Sequence, residues 1–111
     1  MSTSVFKGGI GIGQIKARFM SDFSNADSDL LIMSTAELGA GGNPQVARAI
    51  AAPGGFADVA LTITKPSVLE IFVVTGQATD SGRLEVSCDG TVEDNEAILG
   101  PVRWVYSVEA A

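Results

Sequence analysis

Four acids, Asp89, Glu93, Asp94 and Glu96 in "CDGTVEDNE", are the residues of this 111-residue chain that come nearest to an acid–base pair. Glycoside hydrolysis needs two carboxylates held about 5 to 9 Å apart on a rigid groove. The stretch instead reads as a flexible acidic loop, which predicts solvated charge. The chain contains no histidine, so the commonest general base and transition-metal ligand is absent. Serines and threonines are plentiful, but none has an evident activating base. The single cysteine, Cys88, cannot staple a fold, and its expected role is that of a small buried hydrophobe. The residue types therefore predict a protein that is not an enzyme and uses no cofactor and no catalytic metal.

Two further motifs invite a ligand. Asp22, Asn25, Asp27 and Asp29 in "SDFSNADSD" offer the oxygens a calcium ion wants, yet the glycine and terminal glutamate of an EF-hand loop are missing, so a solvated turn is expected. The glycines of "FKGGIGIGQIKARF" suggest a phosphate cradle. A dinucleotide fingerprint needs a strand before the glycines and a helix after them, and a P-loop needs Gly-Lys followed by Ser or Thr. Neither context is present. Gly9, Gly11 and Gly13 form instead a bare stripe opposite isoleucines, open to close approach by another backbone. Together with Lys16 and Arg18 they are the expected interface residues.

The elements that would position these residues are strands. In the glycine segment Phe6, Ile10 and Ile12 share one face, whereas Ile15, Ala17 and Phe19 share the other, so the register changes near Gly13. A β-bulge or a strand crossing between sheets explains the change. "LLIMSTAEL" (Leu30 to Leu38) reads as a further strand. Val59, Leu61 and Ile63 alternate with smaller residues, and "VLEIFVVT" is apolar on both faces, as a central strand should be. "RLEVSC" points Leu84, Val86 and Cys88 inward before a tight Asp89-Gly90 turn, and Val102, Trp104, Tyr106 and Val108 share a face of the last strand. For "NPQVARAIAAPGG", Asn43 as cap, Pro44 in the first turn and Val46 with Ile50 at i, i+4 favour a short helix near residues 44–51; a strand ending in a Pro-Gly-Gly turn is the competing reading. The expected fold is all-β: one domain over residues 1–111, an antiparallel sandwich (jelly-roll or Ig-like) or small barrel of six to eight strands.

Charge narrows the partners. Seven Lys and Arg against 13 Asp and Glu give a net charge of −6, the wrong sign for nucleic acid. Lys7, Lys16 and Arg18 precede the first acid, while Asp80 to Glu96 holds six acids and one base, so the chain is dipolar along its length. The start "MSTSVFKGG" lacks the pattern of an export signal, and no apolar run approaches the ~20 residues that cross a bilayer.

The function these features predict is that of a self-associating structural protein: a small decoration or accessory subunit of a virus (phage) particle, partnered by itself, for instance as a trimer, and by a larger protein shell. Its expected location is the virion surface after assembly in host cytoplasm. The alternative is a carbohydrate-binding module. "GRLEVSCDGT" followed by a tryptophan-bearing strand resembles the texture of such modules over roughly the last 50 residues, and Trp104 and Tyr106 would then form the platform for a sugar ring.

Overall fold

The computed structural model describes residues 3–23, 26–34 and 45–109, which form nine strands and no helix. The strands are β1 (Thr3–Gly11), β2 (Gly13–Phe23), β3 (Ser28–Ser34), β4 (Gln45–Ala51), β5 (Phe56–Ile63), β6 (Ser67–Val74), β7 (Ser81–Cys88), β8 (Thr91–Leu99) and β9 (Val102–Glu109). Sheet A has the order β1-β9-β6-β3-β4 and sheet B the order β5-β2-β7-β8. All pairs are antiparallel except β1 with β9. Two separate sheets make this a sandwich and not a barrel.

The inverted pattern at the glycines has a direct cause. β1 ends at Gly11 in sheet A and β2 begins at Gly13 in sheet B, so Ile12 is the step between the layers. Ile10 on one side of the step and Ile15, Ala17 and Phe19 on the other all reach the same core. A second register shift, between Phe6 and Gly8, makes Lys7 a bulge and leaves Phe6 on the outside at 69 % exposure, against the expectation that it shares the inward face of Ile10.

Alternation accounts for the rest of the core. Ala57, Val59, Leu61 and Ile63 of β5, Leu84 and Val86 of β7, and Val102, Trp104, Tyr106 and Val108 of β9 are all buried. β6 sits in the middle of sheet A, with Leu69, Ile71 and Val73 inside, as its two-sided apolarity requires. Each fully buried Leu or Ile contributes about 2 kcal/mol of transfer free energy. Asp89 and Gly90 both have positive φ and join paired residues Cys88 and Thr91, a two-residue hairpin whose twist matches the strands.

Two expectations are corrected. The segment read as a helix near 44–51 is strand β4 from Gln45 onward; residues 43 and 44 lie outside the described residues, as do 35–38 of the Leu30–Leu38 segment. Two turns of helix cannot stand alone, whereas pairing with β3 supplies seven register positions and buries Ala51 while half-burying Ala47 and Ala49. The strand count exceeds six to eight because the acidic segment after Gly90 is strand β8 and not a loop. Only Ile98 of β8 is buried, so it carries little of the hydrophobic alternation that marks a strand.

Candidate functional site

Three acids of "CDGTVEDNE", Asp89, Asp94 and Glu96, meet partners from other strands. β8 is an outer strand of sheet B, and its Asp94 and Glu96 face Lys7 of the β1 bulge across the gap between the sheets. The Lys7 ammonium stands 3.6 Å from Asp94 Oδ1, donates to Glu96 Oε2, and lies 4.4 Å above the Trp104 ring. Tyr106 donates its hydroxyl to Asp94 Oδ2 at 2.7 Å. Burial works against the Lys7 charge, yet the bond to Glu96 and the charges of Asp94 and Glu96 outweigh it and raise the pKa above 10.5. Burial, the bond to Asp94 and the nearby acids push the Tyr106 phenol far above its ordinary range, so it remains a donor. The cluster clasps the edges of the two sheets together. Tyr106→Phe is expected to cost about 1 kcal/mol, since water reaches Asp94 and restores part of the lost solvation; urea unfolding checks this, and an unchanged midpoint would remove the clasp's contribution.

Asp89 closes the same corner from the other side. Its carboxylate accepts from the Gln14 amide at 2.9 Å, and a Cβ on Gly13 would fall 2.7 Å from its Cγ and Oδ1, so Gly13 is bare to admit this cap. Cys88 donates weakly to the Gly11 carbonyl at 3.4 Å, and burial with the charges of Asp89 and Glu93 raises its thiol pKa. These surroundings favour the thiol over the thiolate.

The five expected interface residues do not gather on one surface. Gly9 and Gly11 pair with Ser107 and Glu109 on the outward side of sheet A, whereas Lys16 and Arg18 are exposed on the outward side of sheet B. Part of the expected charge dipole is neutralised within the chain, because Lys7 pairs with Asp94 and Glu96.

The middle of sheet B shows solvent a polar face, while Met20, Phe56 and Leu99 are exposed on the same side. Asp58, Arg18, Glu85 and Asn95 form one cross-strand row. Arg18 binds Asp58 through two bonds of 2.7 and 3.0 Å and lies 4.8 Å from the Phe56 ring. Asn95 donates to Glu85 at 3.3 Å and accepts from Arg83 at 3.0 Å. A shallow depression of about 380 Å³ beside this row is lined by Lys16, Arg18, Asp58, Ala60, Glu85 and Ser87. The Arg18 bond holds the Asp58 carboxyl below its ordinary pKa. Asp58 therefore adds stability that is present above a pH of about 4 and is lost as pH falls through its lower folded value. Arg18→Gln should return the Asp58 titration, followed by carboxyl NMR, upward to that ordinary value; an unmoved midpoint would assign the shift elsewhere.

Sheet A shows the opposite character. One row runs Phe6, Val105, Glu70, Met33 and Val46, and the next runs Ser4, Arg103, Phe72, Leu31 and Arg48. Val46, Ile50, Val68 and Val74 are 43 to 54 % exposed, and Leu31, Met33, Phe72 and Val105 are half-buried between them. Of the five charges on this face four are paired, Arg48 with Asp29 at 2.8 Å and Arg103 with Glu70, while the Glu109 carboxylate accepts from the Ser107 hydroxyl at 3.3 Å. Apolar residues thus lie side by side across four strands of this face. Sequence reasoning missed it because the outward residues of β3, β4 and β6 align only once the strands are paired; the two-sided apolarity of β6 was its one signal.

The aromatic pair lies inside. Trp104 is 3 % and Tyr106 1 % exposed, so neither ring offers a sugar a stacking face. Of the Asp22–Asp29 segment, expected as a solvated turn, Asp29 pairs with Arg48 and Asn25 lies outside the described residues. Among the described residues no three His, Cys, Asp or Glu side chains group as metal ligands. In comparisons with known proteins, the chain matches no family model, no curated protein and no solved structure.

Proposed function

We propose that this is a non-enzymatic structural protein that works by associating with copies of itself. In its most specific form it is a small decoration or accessory subunit seated on the outside of a virus (phage) shell. The observation that carries the reading is the outer face of sheet A, which leaves a continuous band of Val, Ile, Phe, Leu and Met side chains toward solvent, whereas the exposed Met20, Phe56 and Leu99 of sheet B flank a row of charge and amide groups. Leaving such a band wet is unfavourable, at about 25 cal/mol per Å², unless a partner covers it. A subunit on the outer side of a shell needs no basic face, which agrees with a net charge of −6.

Size-exclusion chromatography with light scattering, followed by a Trp104 fluorescence titration against a glycan panel, tests the reading. Self-association with no response to sugars is the expected result. A strict monomer whose emission shifts with a glycan would replace it with the carbohydrate-binding alternative.

A further inference from the structure

We infer that the apolar outer face of sheet A is covered by the same face of a second copy, about a two-fold axis passing close to Phe72. The inference rests on the self-association proposed above and names the surface and its symmetry. Phe72 lies on β6, the middle strand of five, and in a row that runs across the whole sheet. In an isologous contact the residue nearest the axis meets its own counterpart.

Charge selects the partner. The chain carries −6, so two copies repel through most approaches, but this face carries only one acid in excess: Asp29 and Glu70 are each matched by an arginine on it, and Glu109 stands at the β1–β9 border of the sheet, away from Phe72. Face against face therefore brings little net charge together. Arg103 lies 5.8 Å from the Phe72 ring, so even the central charge is laid along an apolar surface and not directed outward.

Size agrees as well. Five strands spaced about 4.8 Å apart, with about seven residues each rising 3.3 Å, give a face of roughly 550 Å² per copy. Two such faces remove about 1,100 Å² from water, which clears the ~1,000 Å² that a specific interface needs. Two of the four edge strands are poorly suited to pairing between copies: β1 is broken by the Lys7 bulge, and β8 carries Glu93, Asp94 and Glu96.

The test uses the full chain. Light scattering across a concentration series should show a dimer. Phe72→Asp should weaken it at least 100-fold, with Ile50→Asp, more exposed on the same face, as a second variant should the first fail to fold. Thr62→Asp, exposed on sheet B, should leave the dimer intact. Phe72→Cys in a Cys88→Ser background should form a disulfide between copies under mild oxidation. If the wild type is a monomer, both the self-association and this surface fall. If it self-associates but resists Phe72→Asp and Ile50→Asp, or forms a trimer, or gives no Phe72→Cys cross-link, only the two-fold face falls.

Discussion

Gly82→Ala should destabilise the protein by about 3 kcal/mol, a drop in Tm of roughly 15 °C for a domain of this size. Gly82 is buried on β7 and pairs with Ser21 of β2 and Ile98 of β8. A Cβ there would fall 2.5 Å from Cε1 and Cζ of Phe19 and would collide with the Met20 carbonyl oxygen. Phe19 is 1 % exposed and has nowhere to go, and the Met20 carbonyl cannot retreat without breaking the β2–β7 pairing. Gly11→Ala is the control, because its Cβ would meet nothing nearer than Cys88 Sγ at 4.0 Å. It should be neutral, or stabilising by about 0.5 kcal/mol through the unfolded chain. Thermal unfolding followed by circular dichroism reads both, and equal midpoints for the two variants would refute the steric account.

Trp104→Ala should cost about 4 kcal/mol, a large share of the 5–15 kcal/mol that a domain of this kind has. The indole is the largest side chain of the core and also the floor on which the Lys7 ammonium rests. Its removal leaves a cavity and withdraws the ring from beneath a charge shared by two sheets. Trp104→Phe keeps much of the volume and a ring face, and should lose about 1.5 kcal/mol. Urea unfolding by far-ultraviolet circular dichroism distinguishes the variants. Comparable losses for Ala and Phe would show that volume is not what Trp104 supplies.

Legibility followed burial. Where one face of a strand is buried, as in β5, β7 and β9, the residues alternate and the strand can be read directly. β8 was obscured because its inward residues, Asp94 and Glu96, are satisfied by Lys7 and Tyr106 in place of a hydrophobic neighbour. β4 was obscured because Ala47, Ala49 and Ala51 fit a helix as well as a strand, and only pairing with β3 chooses between them. The inversion at Gly13 was visible as a pattern, and the step from sheet A to sheet B is its cause.

Residue order by itself settled that this chain is all-β, that it turns at Asp89-Gly90, that Val102, Trp104, Tyr106 and Val108 share one face of the last strand, and that it has no imidazole for chemistry. These are consequences of local periodicity and residue type, which act over a few neighbours along the chain. Tertiary structure alone decided that Lys7 clasps Asp94 and Glu96, that Gly9 and Gly11 lie on a different layer from Lys16 and Arg18, and that the apolar residues of β3, β4, β6 and β9 merge into one face. The physical reason is strand register. Contacts between residues almost ninety positions apart depend on which strands become neighbours, and that choice is made by the energy of the whole sandwich.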